Sequence, residues 1–545
     1  MNPKPRRYHL EIQCHRKNYY GLIRSSYRKD GKVLHSNHGR ISGLPLEQLK
    51  LIQAAFRGDV IAKDSPEALR LLGSKEYGAS AALLALAKEI GLDRALYSRP
   101  SEPWVRDALA MIVGRLVYAG SKLSLSHQWK NTALWELCGV EGPVDVDQHC
   151  YAAMDRLLER QEAIQRTLAQ QHLRNGHLVL YDITSSYFEG AYEESEIVAF
   201  GYNRDGKRGH EQMVIGLLCS EEGCPVGVEV FPGQTQDAST VPQKIAEIQA
   251  RYGIKEVIFV GDRGMVTSAN VEKLKDLEGL STISALTHRQ IVSLLERKVI
   301  EVDLFDEKEI VEVIDPECAQ RRYCLCRNPQ SAQREGTTRA ALLERTRVAL
   351  DKIAASKRKA SAEALGARVG RILQQYKMGK FVSWQIEAGR LQWRFDAEKI
   401  AAEKRFDGCY VISSDVPVQK MAKAELVAAY KKLELVEVAF RNLKTVQLEV
   451  RPVYHKKDER IRSHVFLCML AYYLQWHAKQ RLQALFAADG EGKGRQWTMQ
   501  NVLERLKAIR RERLSMGGTE FTQTTVADEE QQRILDLLQT PPPAR

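Results

Sequence analysis

His177-Leu178-Val179-Leu180-Tyr181-Asp182 and Glu256-Val257-Ile258-Phe259-Val260-Gly261-Asp262 decide how this chain folds. Each is a short apolar run bounded by polar turns, the pattern of a strand buried on both faces. Each also closes on an aspartate. A carboxylate at the carboxyl end of a buried strand projects to the rim of its sheet, where open α/β sheets carry their chemistry. Between the two runs, Met213 to Cys219 and Val226 to Phe231 flank the turn-rich Ser220 to Pro225 as a hairpin, and Val241 to Tyr252 reads as a helix leading into the second run. From His177 to about Thr287 the order is strand, hairpin, helix, strand, helix, strand. It predicts an α/β core, a mixed sheet flanked by helices, with one Asp on its first strand and the other on its fourth.

A third carboxylate, Glu437, lies in Tyr430 to Lys444, which lacks Gly and Pro and reads as a single helix. On a 3.6-residue period Tyr430, Leu433, Glu437, Arg441 and Lys444 fall on one face. Tyr430-x2-Leu433-x3-Glu437-x6-Lys444 resembles the Tyr-x2-Arg-x3-Glu-x6-Lys signature of a group of bacterial insertion-sequence transposases of the DDE class, with Leu433 where that signature has Arg. Tyr181-Asp182-Ile183-Thr184 and Gly261-Asp262-Arg263-Gly264 are similar to the first and second Asp motifs of that family. Gly201 to Arg208 and then Val228 to Gly233 resemble the stretch between them. The likeness spans residues 175 to 290 and 405 to 475.

The resemblance implies a ribonuclease H-like core and a transposase that binds the terminal inverted repeats of its element, cleaves DNA at the ends and transfers strands. Three carboxylates are hard oxygen ligands suited to Mg²⁺ or Mn²⁺. Asp182 is expected to bridge two ions, with Asp262 and Glu437 flanking. Lys444 and Arg441 are expected to neutralise or position phosphate, Tyr430 to hydrogen-bond it, and Lys207 and Arg208 to contact DNA. Arg263 reads as a salt-bridge partner or a phosphate ligand, and Lys432 or Arg441 as a stand-in for the signature Arg. Double-stranded DNA, both transposon ends and target, is the expected partner, with a homodimer in a synaptic complex. Taken singly, an Asp at a strand end commonly caps a turn or helix, and Glu with Lys or Arg on a helix is commonly a solvated charge pattern. Their order and joint presence set them apart. Two other readings use the same residues: a ribonuclease H-like nuclease without strand transfer, and a catalytically inactive DNA-binding derivative.

Composition fits a large nucleic-acid enzyme. The chain has 545 residues, a net charge of +12 and a pI near 9.1, values that favour two to four domains and a polyanionic partner. No run of 18 or more apolar residues occurs, and Met1 to Arg7 lacks an apolar signal core, so a bacterial cytoplasmic, nucleoid-associated protein with no membrane partner is expected. The ten cysteines are scattered; Cys318, Cys324 and Cys326 do not have zinc-module spacing and read as inert thiols. His210 and Glu211 are adjacent on a strand and point to opposite faces, which argues against a metal pair.

Six segments follow. Residues 1–75 hold a hairpin about Asp30-Gly31, 76–175 are helical, and 176–290 begin the catalytic core. Residues 291–405 form an α+β insertion, 406–480 complete the core with the Glu437 helix, and 481–545 are helical with a disordered Pro-rich tail. Basic residues such as Lys122, His127, Lys130 and Arg156 suit 76–175 to recognition of DNA ends, and a helical bundle packed on the core fits equally. Within the insertion, Arg334 to Lys380 holds twelve Lys or Arg against four Asp or Glu. Trp384 and Trp393 lie on a hairpin through Glu387 to Arg390. In the transposases that the chain resembles, an insertion-domain Trp holds a flipped base during excision; the other reading has both packing the core of the insertion.

Overall fold

The computed structural model describes the chain apart from residues 1–7, 17, 30–31, 58–68, 203–205, 207–208, 237–251, 253, 264, 266–278, 307–308, 357–360, 445–447, 452, 490–495, 517–518 and 543–545. Lys207, Arg208 and most of the helix expected over Val241 to Tyr252 thus lie outside the described residues. Strands β1 (Tyr8–His15), β2 (Asn18–Lys29) and β3 (Lys32–Ser42) form an antiparallel sheet. Lys29 faces Lys32 across the expected hairpin. After β4 (Leu69–Glu76), helices Gly78–Glu89, Pro103–Val117, Ala152–Glu159 and Gln161–His172 dominate up to residue 172.

The core strands are β5 (Leu178–Tyr187), β6 (Gln212–Ser220), β7 (Pro225–Pro232), β8 (Val257–Gly261) and β9 (Leu280–Ala285). Next come β10 (Val311–Asp315) and β11 (Cys318–Arg327), and then two helices, Pro329–Ala354 and Ala362–Tyr376. The hairpin β12 (Val382–Glu387) and β13 (Arg390–Phe395), helix Ala397–Lys404 and β14 (Cys409–Ser414) follow. The main sheet is ordered β10-β11-β14-β9-β8-β5-β6-β7. β6 is antiparallel to β5 and β7, whereas β8 runs parallel to β5 and β9 parallel to β8. Spatial order 3-2-1-4-5 from β7 to β9 is what a ribonuclease H-like core requires. β14, β11 and β10 then extend it antiparallel. Residues 311–327, expected inside the insertion, therefore belong to the main sheet, and the part that leaves it runs from Pro329 to Lys404.

Beyond β14, helices Lys423–Lys431, Leu433–Leu443 and Asp458–Arg481 complete the core. The last carries Val465, Phe466, Leu467, Met469, Leu470, Tyr473 and Leu474, each at 2% exposure or less. A helix apolar all round is stable only inside a protein. This one lies between Pro103–Val117 and Ala152–Glu159 on one side and β7 on the other. The helical segment and the sheet thus share one continuous core. The C-terminal region adds strands to its expected helices: after helix Met499–Lys507, β15 (Arg510–Met516) and β16 (Thr519–Thr524) form a sheet with β4, and helix Glu529–Leu537 follows. The pairing joins positions over 430 residues apart, such as Arg510 and Glu76, which local pattern does not reveal.

Candidate active site

β5 and β8 run in register from Leu178 opposite Ile258 to Tyr181 opposite Gly261. The next residue on each is an aspartate, so Asp182 and Asp262 leave neighbouring strands at one level, where parallel neighbours are about 4.8 Å apart. β5 itself continues past Asp182 to Tyr187, paired throughout with β6. The strand end expected at Asp182 is thus only the end of the parallel pairing, because β8 stops at Gly261. Asp182 is half-buried and its Oδ1 accepts the Ile183 N–H at 2.8 Å. Asp262 is exposed.

The segment bearing Glu437 is tied at both ends to this edge. Tyr430 donates its phenol to Asp262 Oδ1 at 3.4 Å. Lys444 Nζ donates to Thr184 Oγ1 at 2.5 Å, and Thr184 shares the Asp182 face of β5 because side chains alternate along a strand. Glu437 is exposed and stands seven residues from either anchor, on a helix packed against β5. Burial first, and then the Asp262 carboxylate, push the Tyr430 phenol up to about 12, with the exposed Arg263 pulling the other way. Tyr430 is therefore a neutral donor at physiological pH.

The single helix expected from Tyr430 to Lys444 is two, Lys423–Lys431 and Leu433–Leu443. At the junction the Lys432 N–H is shared between the Ala428 and Ala429 carbonyls, and Leu435 N–H bonds back to Lys432, the tighter winding of a 3₁₀ turn. The turn lets Lys432 bond Glu221 at 2.5 Å while Leu433 packs inward at 7% exposure. Leu433 therefore does not share the exposed stripe of Glu437 and Arg441. With Lys432 bound to Glu221, Arg441 stays exposed one turn from Glu437 on the same helix. Thr184 and Glu221, which receive the two lysines, were not legible as partners: only their positions, after the Asp182 run and in the turn of the following hairpin, were.

The tryptophans divide. Trp384 and Trp393 face each other across β12 and β13. Trp393 packs against the insertion's own core of Leu350, Leu365, Val369 and Leu391, with Phe395 edge-on at 5.0 Å. Trp384 is 40% exposed. No described contact joins either ring to the three carboxylates. Lys122, expected as a DNA contact, is buried between Pro103–Val117 and the Asp458–Arg481 helix, with Nζ on His464 Nδ1 at 2.5 Å. His127, Lys130 and Arg156 are exposed.

A family model described as "Transposase DDE domain" matches residues 178–474, more than half of the chain. The chain belongs to the DDE transposase family. The match opens with β5 and closes inside the Asp458–Arg481 helix, so all three carboxylates of the transposase fall within it. Among solved structures, the transposase is similar to "Mos1 transposase paired-end complex with left transposon end" at 15% identity, over 44% of this chain and 68% of that chain, with a TM-score of 0.14. Membership rests on the family match. No curated protein matches the transposase.

Proposed function

We propose that this chain is the transposase of a bacterial insertion sequence, acting in the cytoplasm at the nucleoid. It binds the terminal inverted repeats as a homodimer in a synaptic complex, cleaves at the element ends and joins their 3′-hydroxyls to target DNA. The observation that carries this reading is the β5–β8 register, which brings Asp182 and Asp262 to neighbouring strands beside a Glu437 segment tied to Asp262 through Tyr430 and to Thr184 of β5 through Lys444. The donor set fits a hard divalent cation, being carboxylates alone with no sulfur or imidazole among them. Asp182 would bridge, and Asp262 and Glu437 would flank. Bound Mg²⁺ or Mn²⁺ supplies an activated hydroxyl nucleophile and a stabilised leaving oxygen.

The residues of the chain do the positioning. Tyr430, neutral at working pH, orients the Asp262 carboxylate. Lys444, held at Thr184, and the exposed Arg441 present positive charge to a phosphate beside the metal ligands, and Arg263 adds to that field. The exposed basic side chains Arg334, Arg345, Lys352, Arg368 and Arg371 of the insertion hold DNA through its backbone, which makes binding salt-sensitive. Trp384 is the insertion side chain open to stack a flipped base.

The test is a joining assay. Oligonucleotide duplexes ending in pre-cut terminal repeats are mixed with a supercoiled target plasmid and Mg²⁺. Joined product, dependent on the repeat sequence, supports the transposase. Hydrolysis without joining identifies a nuclease, and end binding with neither product identifies an inactive derivative.

A further inference from the structure

His172, Cys224 and His477 converge behind the sheet, on three separate elements: the last residue of helix Gln161–His172, the turn between β6 and β7, and the final stretch of the Asp458–Arg481 helix. A ligand atom from each lies within 4.8 Å of the other two. Tetrahedral zinc, with bonds of about 2.3 Å to sulfur and 2.0–2.1 Å to nitrogen, sets such atoms roughly 3.3–3.7 Å apart, so closure asks for small side-chain rotations only. Three further observations single the cluster out. Among the described residues His477 Nε2 is buried with no hydrogen-bond partner, which is costly for a ring nitrogen unless something accepts or shares its lone pair. His172 Nε2 meets Tyr473 Oη at 2.9 Å, and Tyr473 donates on to Gln171 at 3.4 Å, the kind of outer support that fixes a liganding imidazole. The Cys224 side chain is fully buried.

We propose that His172, Cys224 and His477 bind a zinc-type, borderline-soft divalent cation, distinct from the carboxylate site, with water or the Glu222 carboxylate in the fourth position. The donor set, one thiol and two imidazoles, selects against Mg²⁺ and Mn²⁺. Burial lowers both histidines, so they are present as the neutral imidazoles that a metal needs. Burial raises the Cys224 thiol well above its ordinary value; a cation reverses that by binding the thiolate and releasing a proton. Glu222 is close enough that its charge acts on both His172 and Cys224. The ion would pin the β6–β7 turn. That turn presses on the Glu437 helix, since a Cβ at Gly223 would stand 2.9 Å from Leu435 Cβ, and Lys432 bonds Glu221 in the same turn.

Cobalt(II) reports the site directly. Chelator-stripped full-length protein, with excess Mg²⁺ present to fill the carboxylates, is titrated with Co²⁺. One equivalent should give a thiolate-to-cobalt charge-transfer band in the near ultraviolet with intense tetrahedral bands in the visible, and Zn²⁺ should bleach both while raising the Tm. Cys224→Ser should remove the charge-transfer band, and His477→Gln should weaken Co²⁺ binding at least tenfold. Cys468→Ser, on the same helix but outside the cluster, should leave the spectrum unchanged. Far-UV circular dichroism checks each fold; should Cys224→Ser not fold, His172→Gln takes its place with the weakening expected of His477→Gln. Absence of the band in wild-type protein, its survival in Cys224→Ser, or unaltered Co²⁺ affinity in both histidine variants would overturn the site.

Discussion

Leu433 packs into the apolar row that Val436, Phe440 and Leu443 continue, all at 7% exposure or less. An arginine there would lose that burial and bring an unpaired charge to the core edge. Leu433→Arg, which restores the signature, is therefore expected to lower stability by roughly 2–4 kcal/mol and to bring no gain in joining; chemical denaturation midpoints check the first and the joining assay the second. The three carboxylates were legible because two closed apolar runs and the third stood among bases on a helical pattern. The length of β5 beyond Asp182 was not, because Ile183 to Tyr187 stays in the sheet through β6 alone, a long-range partner that the run itself does not announce. Lys444 was readable as a base on the Glu437 segment, and its seat on Thr184 is visible only in the fold.

At the scale of elements, the hairpin of the insertion was plain from its alternation, and its Ala388-Gly389 loop has φ of +48° and +70°, the left-handed pair that a two-residue hairpin turn favours. The break at Lys432 was hidden, since nothing in Lys431-Lys432-Leu433 disfavours a helix and the turn there is seen only with its long-range bond to Glu221. A strand through Cys324 and Cys326 was readable from their spacing, but its place in the main sheet was hidden, because Arg322 to Arg327 pair with β14 across the whole insertion. The exposure of the two tryptophans separates their roles. Trp384→Ala is expected to reduce cleavage of an uncut end by tenfold or more, with little change in Tm and near-normal joining of a pre-nicked, mismatched end, because base stacking on an aromatic contributes roughly 1–3 kcal/mol. Trp393→Ala is expected to lower stability by about 2–4 kcal/mol and to impair both substrates alike. Equal behaviour of the two variants would remove the base-holding role.

Over the whole molecule, the helical segment and the catalytic sheet stand or fall together. Arg115 bonds the Leu448 and Glu449 carbonyls at 2.7 Å from within Pro103–Val117, and Lys122 rests on His464 and His455. Deleting residues 1–175 would strip one side of the Asp458–Arg481 helix, so end recognition by this layer is better probed at the exposed Lys130 and Arg156. Burial, reinforced by Arg115, lowers Lys122 from 10.5 to about 7. A lysine depressed in the fold favours the folded state above its unfolded value and loses that advantage as pH falls through the folded one. Stability is thus expected to fall from pH 10 to pH 7 by up to roughly 4 kcal/mol from this group; His455 and His464 are held lower still by burial and add nothing in that window. Lys122→Met should flatten the slope, as read from guanidinium chloride midpoints across the range; an unchanged slope would place the cause elsewhere. The central claim, that Asp182, Asp262 and Glu437 form one metal-dependent strand-transfer site, is tested most directly by Mg²⁺-dependent joining of pre-cut repeat ends by Asp182→Asn, Asp262→Asn and Glu437→Gln. The account predicts joining reduced at least a thousandfold in each, with end binding within a few fold of wild type. Joining near the wild-type rate in any one of the three would contradict it.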